Sequence, residues 1–174
     1  SRPMTPRHYR SETWTDSRQD VRVSPIHGLG IFARDTIHRD EVVEIFGGIV
    51  MNDIKFRAFQ QTTPRFNAVQ IDEELHLVES PDITLRRSGS LNHACDSNLW
   101  MADEVTAVAR RVIAAGEELT VDYALFSAQT DWVMDSPCHC GMSVCRGAIT
   151  GSDWKHKDVQ ERYLHHFSPF LNAR

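Results

Sequence analysis

The feature that most constrains the fold of this chain is a group of three cysteines within eight residues. Cys138, Cys140 and Cys145 lie in the segment Cys-His-Cys-Gly-Met-Ser-Val-Cys, and the fourth cysteine, Cys95, lies more than forty residues upstream. A disulfide framework is a poor interpretation, because Cys138 and Cys140 are too close for an easy mutual bond and an oxidising compartment is needed. Zinc takes four thiolates at the corners of a tetrahedron, and a Gly after Cys140 allows the backbone to turn beneath the ion. The spacing predicts a structural zinc site, with four unrelated buried thiols as the alternative and His139 as a competing ligand.

Length and composition indicate one globular domain. The chain has 174 residues, of which 41% are hydrophobic and 25% charged, and a domain has on the order of 150 residues. A net charge of −5 and a pI near 6.0 argue against a general nucleic-acid coat, which needs a basic face. No apolar run approaches the ~20 residues that span a bilayer, and no signal-peptide pattern begins the chain.

These observations predict an intracellular protein without direct contact to nucleic acid or membrane. The expected location is the cytoplasm if the protein is bacterial, and the nucleus or cytoplasm if it is eukaryotic. The oligomeric state is left open by the sequence.

The order of patterns along the chain predicts a β-rich fold. Residues 1–19 are polar and irregular and are interpreted as a lead-in. Alternating or β-branched runs separated by turn residues predict short strands, one short helix is expected over residues 52–61, and two hairpins are expected across acidic turns. The predicted strands and hairpins cover residues 21–23, 31–33, 41–50, 66–71 with 75–78, 98–102 with 105–111, and 119–123.

The last segment has a different period. After Gly151, the apolar residues Val159, Tyr163, Leu164 and Phe167 recur at helical spacing. The pattern predicts a C-terminal helix that begins at an Asp cap, ends before Pro169 and packs its apolar face on the body. A role in covering a ligand is the alternative.

Three short segments carry side chains or backbone suited to binding. In Gly28-Leu29-Gly30 the glycines permit close approach of backbone to a ligand, but a strand-like Ile31 follows, so the dinucleotide-binding interpretation fails. The segment from Asn92 to Asn98 is dense in hydrogen-bonding groups and includes Cys95. A metal-bound Cys95 would hold Asn92 and His93 in position for ligand contacts.

The segment Gly-Glu-Glu-Leu-Thr-Val-Asp-Tyr, which ends at Tyr123, completes a resemblance. Residues 28–30, 92–98, 116–123 and 138–147 together resemble, in order and spacing, the SET-domain protein-lysine methyltransferases with their post-SET zinc module. The resemblance extends over residues ~20–147 of the chain.

The resemblance implies a fold, two bound groups and a set of site residues. The fold is the SET-type β-clip, mainly β with short helices, in which small sheets surround a pseudo-knot; a post-SET zinc segment and a helix follow. The implied divisions are a lead-in (1–19), a SET domain (20–126), a zinc segment (127–150) and a C-terminal helix and tail (151–174). The implied groups are S-adenosylmethionine and a structural Zn²⁺. The implied residues are Tyr123 for catalysis, Gly28, Leu29, Gly30, Asn92 and His93 for the cofactor, and Cys95, Cys138, Cys140 and Cys145 for zinc.

Two departures from the family pattern bear on the expected activity. Ser97 stands where the family carries Pro, which costs local rigidity. Val121 stands two residues before Tyr123, where the family often has an aromatic residue that controls how many methyl groups are added. The number of methyl groups is therefore not specified by the resemblance, and Phe126 is the candidate for walling that part of the channel.

The favoured hypothesis is an enzyme that methylates lysine in a histone or another basic protein or peptide. The alternative is a non-catalytic module that binds peptide or cofactor on the same scaffold. A zinc hydrolase is disfavoured because four cysteine ligands leave no coordination position for water.

Overall fold

The computed structural model describes residues 7–86 and 90–174, which form short strands, short helices and two 3-10 turns. The strands are β1 Trp14–Thr15, β2 Gln19–Val23, β3 Leu29–Ala33, β4 Val42–Ile45, β5 Ile49–Asn52, β6 Ala68–Asp72, β7 Leu75–Val78, β8 Asn92–His93, β9 Leu99–Met101, β10 Thr106–Ala109 and β11 Glu118–Val121. The helices are α1 Asp53–Thr62, α2 Pro81–Arg86, α3 Lys157–Arg162 and α4 Pro169–Asn172, and the 3-10 turns are Tyr123–Leu125 and Asp153–Lys155. The predicted mainly β class with short helices is confirmed.

The strands pair into small sheets, with the orders β1-β4-β10-β9, β2-β3-β11-β8 and β5-β7-β6 among the described residues. In the second sheet β11 runs antiparallel to β3 and parallel to β8. The register sets Leu119 opposite Ile31 and Val121 opposite His93. The beginning of β3, the whole of β8 and the end of β11 therefore meet at one place in the sheet.

Both predicted hairpins are present. Strands β6 and β7 pair antiparallel around an acidic turn, with Val69 opposite Leu77. Strands β9 and β10 pair in the same way, with Val108 opposite Trp100. The prediction succeeds because each hairpin combines β-branched or aromatic residues with a short polar turn.

Helix α1 forms where the sequence predicts it. Asn52 caps it by accepting a hydrogen bond from the backbone N–H of Lys55 at 2.9 Å. Its buried residue is Phe56, which packs edge-on against Phe66 and lies over the ring of His76. No helix in the described part of the chain has the length and apolar character to cross a membrane.

One hydrophobic cluster joins the first two sheets to the end of the chain. It contains fully buried residues of β3, β4, β9, β10 and β11 together with apolar residues after position 158. Each large side chain so buried contributes about 1.5–3 kcal/mol. The cluster's members from the C-terminal segment are Val159, Tyr163, Phe167, Phe170 and Leu171.

The C-terminal segment packs on the body as predicted, but it is not a single helix. Helix α3 begins after His156 without a side-chain cap, and Asp153 instead begins a 3-10 turn. Pro169 starts α4, where its fixed φ suits the first helical turn, and so does not simply end the pattern. Leu164 is 60% exposed. The helical spacing was misleading because His165 takes a positive φ of 68° that breaks the periodic run.

The lead-in is also more ordered than its composition suggests. Residues 1–6 lie outside the described residues, but Trp14 and Thr15 form β1, which pairs with Ile45 and Glu44 of β4. The lead-in therefore contributes an edge strand to the first sheet.

Replacing Tyr163 by Phe should lower the free energy of unfolding. The buried hydroxyl donates to Asp122 Oδ2 at 3.0 Å and accepts from the Ser97 N–H at 3.0 Å. Both groups lose that partner in Tyr163→Phe, which should cost about 1–3 kcal/mol. Urea denaturation measures the change. Tyr9→Phe removes the same atom at a partly exposed position. An equal loss of unfolding free energy in Tyr9→Phe would contradict a stabilising role of the Tyr163 hydroxyl bonds.

Candidate functional site

The glycine segment, the Asn-His pair and Tyr123 converge at the end of β11. Gly28-Leu29-Gly30 enters β3 on one side of β11, and Asn92 and His93 form β8 on the other. Tyr123 follows two residues after Val121, at the start of a 3-10 turn rather than at the end of a strand as predicted. Every residue that the sequence proposed for cofactor binding or catalysis thus lies in one region.

The four cysteines form a second group beside this region. Their sulfur atoms all lie within 4.8 Å of one another, and the Cys95 and Cys138 sulfurs are 3.9 Å apart. A tetrahedron with Zn–S bonds of about 2.3 Å has edges of roughly 3.8 Å, whereas a disulfide holds its sulfurs about 2.05 Å apart. His139 is exposed and lies outside the group. The residues present therefore fit a tetrahedral zinc ion.

The thiols of the group differ in protonation: burial would raise the pKa of Cys140, but hydrogen bonds from its neighbours outweigh burial and lower it. Burial raises the pKa of Cys95 well above its usual range, and burial raises the pKa of Cys138 to about 11. Buried thiols in these positions stay neutral unless a positive charge stabilises the thiolates. A divalent ion at the centre of the four sulfurs supplies that charge.

His93 connects the sulfur group to Tyr123. Its Nδ1 accepts the backbone N–H of Tyr123 at 3.0 Å, so Nε2 carries the proton and donates to the Cys95 sulfur at 3.3 Å. Burial lowers the pKa of His93 to about 4, which keeps the imidazole neutral, as this pair of bonds requires. One ring therefore orients a candidate metal ligand and holds the backbone of Tyr123.

The absence of a side chain at Gly30 leaves space for two neighbouring polar side chains. A Cβ at this position would lie 2.3 Å from Glu118 Oε2 and 3.1 Å from the Asn92 side-chain nitrogen. Glu118 accepts a hydrogen bond from that nitrogen at 2.8 Å and another from the Ser24 hydroxyl at 2.7 Å. The absent side chain at Gly30 thus leaves room for the carboxylate that orients Asn92.

Tyr123 lies in an aromatic environment. The centroid of its ring is 5.1 Å from that of His93, 6.0 Å from Phe126 and 6.2 Å from Trp132. Its hydroxyl donates to the backbone carbonyl of Leu91 at 3.4 Å. Burial raises the pKa of Tyr123 to about 12, so the hydroxyl remains a neutral phenol near pH 7.

Sequence reasoning did not identify four residues that hold the site together. They are Glu118, Asp122, Trp132 and Arg146. Asp122 directly precedes Tyr123, and Arg146 directly follows Cys145. Their positions next to proposed functional residues could have marked them as candidates. Trp132 carried no such signal, because its contact with Tyr123 depends on the path of an irregular segment.

The acidic turns of the two hairpins are engaged by arginines of this chain. Arg174 Nε donates to Glu73 at 3.1 Å, and Arg7 pairs with Asp103 at 3.3 Å. These exposed pairs contribute little to stability, but they partly neutralise the turns.

A family model described as SET domain matches residues 28–124. The chain is similar to the H3 lysine-4-specific histone-lysine N-methyltransferase of Cryptococcus neoformans, at 30% identity over 138 residues, with 71% of this chain and 9% of that protein covered. It is 32% identical over 144 residues to histone-lysine N-methyltransferase TRX1 of Oryza sativa subsp. japonica (72% and 13% covered). An H3 lysine-36-specific relative from Schizosaccharomyces pombe is 29% identical over 155 residues (78% and 18%). The chain spans less than a fifth of the length of each of these relatives.

Elemental analysis of the purified chain should find one zinc per molecule, because four sulfurs at tetrahedral spacing are the donor set. Cys140→Ser removes one thiolate and should weaken zinc binding by about 100-fold or more, beyond the loss seen for residues that only support a ligand. Competition with a chromophoric chelator measures the affinity.

His139→Ala is the matched control, since it changes the residue between two proposed ligands and should leave zinc binding unchanged. Metal-free protein that keeps its fold and melting temperature would contradict the zinc assignment.

Proposed function

The chain belongs to the SET-domain family, and from that premise we propose that it is a protein-lysine N-methyltransferase. It would transfer a methyl group from S-adenosylmethionine to the side-chain amine of a lysine in a protein substrate. The observation that carries the proposal is the convergence of Gly28–Gly30, Asn92-His93 and Tyr123 at the end of β11, beside the four cysteines.

The proposed cofactor residues suit a ligand with polar ends. The backbone of Gly28, Leu29 and Gly30 is available for ligand contacts. At the two glycines no side chain shields it. Asn92 offers an amide whose orientation is held by the His27 carbonyl at 2.9 Å and by Glu118. When bound, S-adenosylmethionine supplies a methyl group activated by a positively charged sulfur.

The proposed zinc site is structural. Cys95, Cys138, Cys140 and Cys145 would fill four coordination positions, so no position remains for a reactive water. The ion would fasten the segment of residues 127–150 to the loop that follows β8. We assign residues 20–126 to the SET domain, 1–19 to its lead-in and 151–174 to a C-terminal segment.

The proposed role of Tyr123 is to orient the amine. A lysine amine attacks only when neutral, and with a pKa near 10.4 its neutral form costs about 4.6 kcal/mol at pH 7. An apolar, partly buried channel lowers that cost because it disfavours the ammonium ion. Phe126 and Trp132 flank Tyr123 and would provide such walls. The neutral phenol and the Leu91 carbonyl would then hold the lone pair in line with the methyl group.

The substrate is proposed to be a histone or another basic protein. The relatives' names specify histone H3 at lysine 4 in one case and at lysine 36 in another, so we commit to the chemical class and not to a position. The expected setting is intracellular, and no direct nucleic-acid contact is required.

Two measurements test the activity. Isothermal titration with S-adenosylmethionine should give saturable binding, and incubation with mixed core histones or a basic peptide array should transfer methyl groups to lysine, located by mass spectrometry. Binding without transfer to any lysine substrate would favour the non-catalytic module instead.

Replacing Tyr123 by Phe should slow methyl transfer by about 10²-fold or more, the scale of losing one preorganised polar contact to a transition state. The ring remains, so cofactor affinity and melting temperature should stay near those of the unmodified chain. Single-turnover methylation on samples matched for folded fraction measures the step. Tyr9→Phe is the control, and near-native turnover in Tyr123→Phe would make Tyr123 a packing residue.

The pH dependence of the reaction should come from the substrate amine and not from Tyr123. Because the pKa of Tyr123 is raised to about 12, the phenol stays protonated throughout the assay range. The logarithm of kcat/KM should rise with a slope of about 1 between pH 7 and 9 as the lysine, with a pKa near 10.4, deprotonates. Tyr123→Phe should give the same slope at a lower rate, and an inflection present only with Tyr123 would contradict a neutral role.

Replacing Gly30 by Ala should weaken S-adenosylmethionine binding by about tenfold or more, because the new Cβ displaces the Glu118 carboxylate that orients Asn92. Glu118→Ala alone should weaken binding to a similar degree. In the Glu118→Ala background, Gly30→Ala should cost little more. A full additional loss in the double variant, measured by calorimetry, would mean that Gly30 is required by the cofactor itself.

A further inference from the structure

A buried ion pair links the segment that carries three of the cysteines to the turn that carries Tyr123. Arg146 donates from both terminal nitrogens to Asp122, at 2.7 and 2.9 Å, and from Nε to Asp153 at 2.9 Å. The Asp122 side chain is fully buried, and that of Arg146 is 10% exposed.

Asp122 in turn defines the geometry of the residues beside it. Its Oδ1 accepts the backbone N–H of Ala124 at 2.9 Å and so caps the 3-10 turn that begins with Tyr123. Its Oδ2 also accepts the Tyr163 hydroxyl at 3.0 Å. The Asp122 carboxylate is therefore bound by Arg146 and Tyr163, and it caps the turn that begins with Tyr123.

The Cys95 sulfur is connected to that turn by two routes. The first runs through His93, which donates to the sulfur and accepts the Tyr123 N–H. The second runs through Arg146, whose backbone N–H donates to the sulfur at 3.3 Å and whose guanidinium donates to the Asp122 carboxylate. Both partners of the Cys95 sulfur therefore also bind Tyr123 or the residue before it.

We propose that Arg146 is a positioning residue, which sets the orientation of Tyr123 by clamping Asp122 to the cysteine segment. The proposal rests on the proposed function, because it assigns Tyr123 the role argued above. Arg146 itself binds Asp122, Asp153 and the Cys95 sulfur. It acts through the carboxylate and the capped turn.

Lysine in place of arginine separates this role from charge alone. A guanidinium presents a rigid fork that can bond both oxygens of Asp122 and one of Asp153 together, whereas an ammonium is a point charge that cannot reproduce the fork. Arg146→Lys keeps the positive charge and also keeps the backbone N–H that donates to Cys95. Zinc binding and folding should therefore survive while the clamp on Asp122 loosens.

The experiment compares Arg146→Lys with Arg18→Lys. Arg18 also forks an aspartate, through bonds of 2.8 and 3.1 Å to Asp16, but it lies away from Tyr123 in the lead-in. We expect Arg146→Lys to lower kcat by about 10- to 100-fold, the scale of a small misplacement of a reacting group. Its zinc content and its KM for S-adenosylmethionine should change by less than about twofold. Arg18→Lys should leave all three quantities unchanged.

A fluorine spectrum provides a readout that does not depend on activity. The chain has three tyrosines, so incorporation of 3-fluorotyrosine gives a resonance for Tyr123, assigned with Tyr123→Phe. Arg146→Lys should shift or broaden this resonance and leave that of Tyr9 unchanged. If wild-type protein methylates nothing, the proposed function fails, and the spectrum still decides whether Arg146 orders the turn.

Two results would overturn the proposal. One is a lowered melting temperature in Arg146→Lys with kcat per folded molecule within about twofold of wild type. The other is an unchanged Tyr123 resonance. Should Arg146→Lys fail to fold or lose zinc, Asp122→Asn decides, because it breaks the charged clamp and leaves Arg146 paired with Asp153. That variant should show the same fall in kcat, and native turnover in it would equally refute the positioning role.

Discussion

The grouping of four sulfurs joins the chain after residue 126 to the loop that follows β8. Between that point and residue 150 the described backbone has no regular strand, and an isolated bridge between Val133 and Thr150 is its main pairing. Cys95, by contrast, belongs to the tightly hydrogen-bonded loop after β8. Burial of uncharged thiols gives little directional attraction, so the zinc ion proposed for the four residues would turn their proximity into a fixed geometry. Trp132 lies in the same segment, and the centroid of its ring is 6.2 Å from that of Tyr123.

Polar groups beneath the proposed cofactor region are organised around a buried strand. Glu118 and Thr120 lie on β11. Glu118 accepts hydrogen bonds from Ser24 before β3 and from Asn92 of β8, and the Thr120 hydroxyl oxygen accepts the backbone N–H of Asn98. Such a layout makes the binding surface stiff, since each amide or carboxylate has a partner before any ligand arrives. Preorganisation of this kind reduces the ordering that a ligand must impose.

The sequence predicted the elements whose signals are local, and it missed the contacts that depend on distant residues. The hairpins and α1 were predictable from period and turn chemistry, and the cysteines from their spacing. Gly30 was identified as a residue beside a ligand, but its relation to Glu118 was not. The glycine makes room for Glu118, which lies far along the chain and meets it only through the pairing of β3 with β11. The C-terminal helix was predicted as one piece because periodicity does not register the positive φ at His165.

The network around Asp122 has a consequence for how such domains are compared. The match to the family model ends at residue 124, yet the groups that grip Asp122 come from positions 146 and 163. Two chains identical throughout the matched range could thus differ in catalytic competence, because the support for their shared residues is encoded downstream. For the same reason a fragment trimmed to the recognised range would retain Asp122 while losing the guanidinium and the hydroxyl that bind its carboxylate.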